Sequence, residues 1–396
     1  MLAGFELKIH QLHSPTVNEN TKVFPALASG QIAMTHTVQE QTKQRRNGYD
    51  LIRLIAASAV IFGHAYPLTG RVTPHYLANH VGAIAVKIFF VTSGFLVARS
   101  WLAEPKVSAF IVKRALRILP GLIALVFFTI AIIGPLATSL PLERYFANAN
   151  TRGYLKNILL FPIYDLPGVF AGNRYPTAVN GSLWSLPAEV AMYVITPVVL
   201  GFKAKNAGLL SLIAGTAIVF LAIYLGHVAS PATPIVIWGT SVASVLDPAP
   251  YYMIGMVFAV FHLERFGRPL ASLILLCAAA KTIKNPLAGE VLLLLLLPFT
   301  VISIGELKFS RLDFLFKKGD FSYGIYLYGF AIQQTVVHFT NNRLGPWANF
   351  AISWPITMVL AFISWKWVER RALKLRAPLQ SLIDRLFVRL TRGSYQ

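Results

Sequence analysis

Long apolar stretches dominate this chain, and the few polar positions inside them recur with a helical period. Ten stretches have the length and hydrophobicity of membrane-crossing helices: 50–67, 80–98, 116–138, 183–200, 208–227, 249–263, 268–282, 287–305, 321–340 and 347–368. They predict an all-α polytopic bundle of about ten transmembrane helices. The seventh stretch is short, and the apolar run 235–246 suits a re-entrant or interfacial piece. Residues 1–46 are polar, without apolar periodicity and without the apolar core of a signal peptide, so a disordered cytoplasmic tail is expected, with Met34 as a second possible start. At the other end, residues 377–396 set Leu379, Leu382, Ile383, Leu386, Phe387 and Leu390 against Arg385, Arg389 and Arg392. That pattern predicts an amphipathic helix on the inner leaflet.

Charge orients the bundle. Lys43, Arg45 and Arg46 precede the first stretch; Arg99, Lys106, Lys113 and Arg114 follow the second; Lys203 and Lys205 follow the fourth. Arg265 and Arg268 follow the sixth, Lys308, Arg311, Lys317 and Lys318 the eighth, and Lys366, Arg370, Arg371, Lys374 and Arg376 close the tenth. The loop after the fifth carries no Lys or Arg, so both termini are expected in the cytoplasm. Lys281 and Lys284 run against this pattern. Of the 396 residues 55% are hydrophobic and 13% charged, against roughly a quarter charged in a soluble protein. Mean hydropathy is +0.58. The net charge of +20, from 36 Lys and Arg against 16 Asp and Glu, goes with Lys and Arg clustered in alternate loops and does not point to nucleic acid. The single cysteine, Cys277, excludes a disulfide framework and is expected to be a small buried hydrophobe. No metal-ligand spacing, Gly-rich phosphate loop or Gly-x-Ser-x-Gly turn is present, so neither a metal nor a bound cofactor is expected.

The first stretch carries the most informative polar residues. Arg53 and His64 are eleven positions apart, almost three turns, so they share a helix face at a separation of roughly 16 Å. Asp50, one turn before Arg53, can pair with it. An imidazole in mid-membrane is costly and normally faces protein or a wet cavity. Helix packing is the alternative for His64 taken alone.

Other polar groups recur along the chain. The second stretch holds Phe89-Phe90-Val91-Thr92-Ser93-Gly94-Phe95, whose Ser93 and Gly94 allow close packing. Lys87, several residues inside it, either snorkels or faces inward. Arg114 and Arg117 open the third stretch, where guanidinium forks suit polyphosphate or simple interfacial anchoring. Ser182, Ser185 and Glu189 line one face of the fourth stretch, beside Trp184 at the interface; Glu189 is a carboxylate well inside a span. Ser322, Tyr326, Gly329 and Gln333 form a stripe that lines a cavity or knits helices. Glu369 reads as structural.

In this order the motifs resemble the acyltransferase-3 family of integral membrane acyltransferases, over about 47–376. The matches are Asp50-x-x-Arg53 with ten residues before His64, Phe89-Phe90-x-x-Ser93-Gly94-Phe95, Arg114-x-x-Arg117-Ile-x-Pro120, Trp184-Ser185-Leu186-x-x-Glu189, Ser322-Tyr323-Gly-Ile-Tyr326-Leu-Tyr328 and Ser364-Trp365-x-x-Val-Glu369. Two positions depart: Gly329 stands where the family often has His, and Lys87 where an acidic residue is common. The resemblance is to the stand-alone form, without an added hydrolase-like domain. It implies transfer of an acyl group, most simply acetyl, from cytoplasmic acyl-CoA to a hydroxyl of an extracytoplasmic glycan or lipid-linked saccharide, in a bacterial inner membrane. In that scheme His64 is the general base, as befits a group that titrates near neutrality when free; an acyl-imidazole relay is the other route. Arg53 holds the CoA end or the thioester oxyanion, and Asp50 orients Arg53. Arg99, Arg114 and Arg117 take the CoA phosphates, and Ser93 and Gly94 give the pantetheine arm room. Glu189, Trp184, Ser185, Ser322 and Tyr326 face the substrates, with Glu189 and the loop 139–181 on the acceptor side. A multispan transporter or flippase is the competing function, although no internal repeat supports it.

Overall fold

Helices replace the apolar stretches almost one for one in the computed structural model, which describes residues 47–201, 208–210, 213–215, 217–218, 221, 235–283, 285–316 and 319–393. The long elements are α1 (Gly48–Leu68), α2 (Val81–Ala103), α3 (Val107–Phe128), α4 (Ser185–Leu200) and α5 (Ala249–Phe261). They continue with α6 (Pro269–Thr282), α7 (Pro286–Gly305), α8 (Ser322–Phe339), α9 (Pro346–Ser364) and α10 (Arg376–Gly393). Among the described residues, 7 helical stretches are long and apolar enough to cross a membrane. The protein is a polytopic helical membrane protein. The 1–46 tail lies outside the described residues, as does most of the fifth expected stretch, 208–227.

α8 is absent from those 7 stretches for a physical reason. Every residue from Ser322 to Gln334 is buried, so the helix is walled by protein, and tyrosine and glutamine replace the aliphatic side chains that lipid would select. Its neighbours include α1, α9 and α3. α6 is the opposite case. Of its 14 residues Ser272 alone is buried, while Leu270, Leu273, Ile274 and Leu275 stand exposed on an apolar face fit for lipid. Cys277 lies exposed on this helix, which corrects the expectation of a buried thiol.

Two boundaries differ from the apolar pattern. α3 starts at Val107, not near 116, because its first two turns are covered: Phe110 packs edge-on to Trp101, with centroids 5.3 Å apart, and α10 docks beside it. Arg114 and Arg117 therefore sit inside the helix, not at its mouth. The run 235–246 becomes a hairpin, β3 (Val236–Ile237) with β4 (Thr240–Ser241), followed by a short helix leading into α5. A second hairpin, β1 (His75–Tyr76) with β2 (Asn79–His80), joins α1 to α2.

Glycines set the closest contacts. A Cβ on Gly94 would lie 2.0 Å from the carbonyl oxygen of Tyr252, and one on Gly255 would lie 2.3 Å from that of Val91. α2 and α5 thus touch backbone to backbone at two places. This fills the space beside Gly94 that was expected to admit a pantetheine arm. Lys87 faces inward, 1% exposed, held by Asn79 Oδ1 at 2.5 Å, Asp247 at 3.1 Å and Glu290 at 3.5 Å, with the Tyr251 ring 5.1 Å away. The two carboxylates supply what a buried ammonium needs.

α10 is held by Asp384, which accepts hydrogen bonds from Lys106 at 2.7 Å and Ser108 at 2.6 Å. Those bonds keep its carboxyl below the usual range. Because the folded value is depressed, the docking is complete above the ordinary carboxylate range and is lost as pH falls through the lowered value. Asp384→Asn is expected to speed amide hydrogen exchange in residues 376–386 at neutral pH. Unchanged exchange would show that the apolar face alone holds the helix.

Candidate functional site

α1 and α8 run side by side in the same direction. Arg53 reaches Asp320 just before α8, Ile61 packs where a Cβ on Gly329 would be 2.7 Å from its Cγ1, and the His64 ring meets Phe330 edge-on at 5.2 Å. Both predicted residues therefore face the same buried helix, roughly 16 Å apart. Ile61 occupies the space that a larger residue at 329 would need, which fits the glycine found there.

At the lower rung, Asp320 is the hub. Its Oδ2 accepts from Arg117 Nη2 at 2.6 Å and lies 3.2 Å from Arg53 Nη2, while Oδ1 accepts from the Ser322 backbone at 3.1 Å and its hydroxyl at 2.5 Å. Arg53 also donates to Asp50 at 2.9 Å, as the spacing predicted. Burial by itself would raise the Asp320 carboxyl, but the two guanidiniums and Ser322 overturn that and hold it well below the usual carboxylate range.

The network extends through α3. The Arg117 guanidinium lies over the Tyr323 ring at 5.4 Å, and the Tyr323 hydroxyl donates to the Ile118 carbonyl at 2.8 Å. Glu369, 2% exposed, accepts from the Ser364 hydroxyl at 3.1 Å. A Cβ on Gly121 would meet both Tyr323 and Glu369, at 2.9 and 3.4 Å, so that glycine lets the two approach Arg117. Arg114 lies over Tyr193 at 5.5 Å, and the Tyr193 hydroxyl donates to Glu189. Glu189 thus belongs with the arginines, linked to Arg114 through the Tyr193 ring, not at the His64 end where the sequence placed it. The Nε atoms of Arg53 and Arg114 are buried and have no hydrogen-bond partner among the described residues. Carboxylates already offset the charge of Arg53 and Arg117.

At the upper rung, His64 Nδ1 is buried and has no hydrogen-bond partner among the described residues. Gly63 lets α1 approach α2, since a Cβ there would lie 2.7 Å from the Gly82 nitrogen. His80 caps α2, its Nδ1 accepting from the Ala83 nitrogen at 3.0 Å. Among the described residues, no group of three His, Cys, Asp or Glu is placed to hold a metal.

Between the rungs, the wall is knitted. The hydroxyls of Ser185 and Tyr326 are 2.5 Å apart, Tyr326 also donates to the Ser182 carbonyl at 3.1 Å, and Phe89 packs on the Tyr326 ring at 5.7 Å. Gln333 donates to the Ile61 carbonyl at 2.8 Å and to Asn349 at 2.9 Å. Trp184 packs half-buried against the core, and Ser93 is likewise half-buried. Ser185, Ser322 and Tyr326 therefore bond to protein and knit the helices together, where the sequence placed them against substrate. Asp320 and Glu369 stand in the arginine cluster, the first unnoticed in the sequence and the second read there as structural. The signal for Asp320 was its position as an aspartate just ahead of an apolar helical run.

The family profile described as Acyltransferase domain matches residues 46–366. The chain is 28% identical over 346 residues to the O-acetyl transferase of Shigella phage Sf6, covering 85% of this chain and 99% of that protein. It is 27% identical over 381 residues to Nodulation protein 10 of Rhizobium leguminosarum bv. viciae, covering 86% of this chain and 96% of that one. No solved structure matches the chain significantly.

Proposed function

The chain belongs to the acyltransferase family that this profile defines, and from that premise we propose that it transfers an acetyl group from acetyl-CoA to a hydroxyl of a glycan or lipid-linked saccharide. The observation that carries this reading is the pair of rungs on one buried helix: a guanidinium cluster at Asp320 and an imidazole at Phe330. An O-acetyl transferase among its relatives points the same way. A bacterial inner membrane is the proposed setting, with the arginine rung toward the cytoplasm, where most Lys and Arg of the loops fall.

In this mechanism the extended arm of CoA enters past Arg53 and Arg117 and brings its thioester toward His64. His64 takes the proton from the attacking hydroxyl. The hydroxyl oxygen forms a bond to the carbonyl carbon as the carbon–sulfur bond breaks. The proton then passes from His64 to the departing thiolate, leaving free CoA and an acetyl ester. The Nε–H of Arg53 holds the donor, and Asp50 and Asp320 fix the orientation of the guanidinium. Glu189 and Glu369 keep Arg114 and Arg117 in place.

Incubating purified protein in liposomes with radiolabelled acetyl-CoA and a cell-surface polysaccharide tests the proposal. Label in the polysaccharide, with the mass shift of one acetyl group, is the expected result; label remaining wholly in acetyl-CoA and free acetate overturns it. Arg53→Ala removes a charge-assisted hydrogen bond worth roughly 1.5–3 kcal/mol. It is expected to raise the acetyl-CoA KM by at least about tenfold with a smaller change in the acceptor KM. An unchanged donor KM would leave Arg53 a purely structural role.

A further inference from the structure

We propose that a cavity of about 350 Å³ at the His64 end, lined by Gly172, Asn173, His338, Phe339, Asn341 and Asn342, is a subsite for one uncharged pyranose ring of the acceptor. The inference rests on the reading that a saccharide hydroxyl receives the acyl group, and it names the surface that selects that saccharide. None of the lining side chains is a carboxylate, ammonium or guanidinium. Asn173 and Asn342 are held by protein, and the exposed Asn341 amide instead offers a donor and an acceptor side by side, the pattern of two neighbouring sugar hydroxyls. Phe339, 60% exposed, adds an aromatic surface for the C–H face of a ring. The volume lies at the small end of the roughly 300–1,000 Å³ typical of small-molecule sites, which suits a single ring better than a long segment.

The cavity is preformed. Asn173 donates to the Gln334 backbone and side-chain oxygens at 3.0 and 2.8 Å, and Gln334 donates to the carbonyls of Tyr175 and Ala178 at 2.7 and 2.8 Å. Asn342 accepts from the Arg174 nitrogen at 2.7 Å and donates to the Gly172 carbonyl at 2.9 Å. The loop around 172–178 is thereby bolted to the end of α8. Asn341 and Asn342 both adopt left-handed backbone, φ 50° and 59°, which asparagine accepts more readily than other residues with side chains, and their nitrogens bond back to His338 and Val337 to close the end of α8.

The cavity also lies beside the chemistry. Tyr175, two residues after Asn173, places its ring centroid 6.2 Å from that of Phe330, which in turn lies 5.2 Å from that of His64. Arg174 ties the same loop to α1 by donating to the Thr69 carbonyl at 2.9 Å. A ring held in the cavity would leave a neighbouring saccharide unit to reach the imidazole.

Saturation-transfer NMR on the detergent-purified full chain tests this, with the methyl glycosides of glucose, galactose, rhamnose and N-acetylglucosamine as probes and methyl glucuronide as the charged control. At least one neutral glycoside is expected to receive saturation. Phe339→Ala and Asn341→Gly, both at exposed positions and the second compatible with left-handed backbone, are expected to weaken it about tenfold, while His64→Ala keeps it. Saturation of none of the neutral glycosides, equal saturation in both variants, or preference for the glucuronide overturns the proposal. Acetyl transfer by a protein that binds none of the glycosides removes the subsite and leaves the acyltransferase reading standing; glycoside binding without acetyl transfer does the reverse.

Discussion

His64→Ala is expected to yield protein that inserts and folds but transfers acetyl groups roughly 10²–10⁴-fold more slowly, the usual contribution of general base catalysis. The imidazole is a poor structural anchor. It meets Phe330 by a ring edge, and its buried Nδ1 has no hydrogen-bond partner among the described residues. Removing it leaves the Gly63–Gly82 contact and the Gln333–Ile61 bond intact. The comparison is therefore a rate measurement at equal amounts of folded protein, judged by monodisperse elution in detergent and an unchanged unfolding temperature. Wild-type turnover in this variant would remove the base from the mechanism. A burst of labelled protein in wild type that is lost in the variant would identify the acyl-imidazole route.

Asp320→Ala is expected to cost stability first and activity with it. The carboxylate, 10% exposed, is the shared partner of Arg53 and Arg117, and stripping one partner from a buried ion pair typically costs about 3–5 kcal/mol. A lower unfolding temperature in detergent and a weaker dependence of rate on acetyl-CoA are the expected readouts. Asp320→Asn keeps an oxygen for Ser322 but loses the charge, so it should fall between wild type and alanine. Since the arginines hold this carboxyl below its ordinary range, its contribution is fully present above that range and disappears only as pH falls well beneath it. The wild-type unfolding temperature should therefore show no loss from this group at mildly acid pH. An alanine variant as stable as wild type would show that the hub is dispensable.

How much of this was legible in the sequence depends on distance along the chain. Asp50, Arg53 and His64 lie on one helix, so their shared face and the Asp50–Arg53 pair followed from the 3.6-residue period. The membrane bundle followed from apolar length. Asp320 was not legible as a partner of Arg53, because no periodicity links residues so far apart. Glu189 was placed at the wrong end of the site for the same reason, since only packing reveals that Tyr193 and Arg114 stand beside it. The early start of α3 came from tertiary cover by Trp101 and α10, which outweighed the lower hydropathy of its first turns. Cys277 was misjudged because an apolar environment outside the bundle looks the same in sequence as one inside it.

The glycine seam between α2 and α5 bears on how the molecule can work at all. With Gly94 against Tyr252 and Gly255 against Val91, the two backbones mesh like cogs with no side chain between them as lubricant. Sliding one past the other would drive those carbonyls into the side chains that flank each glycine, so they travel as a single plank. A carrier that ferries cargo by tilting one half of itself against the other needs a joint that slips, and none can lie along this line. Any such joint would have to run elsewhere in the bundle, with α2 and α5 on the same side of it.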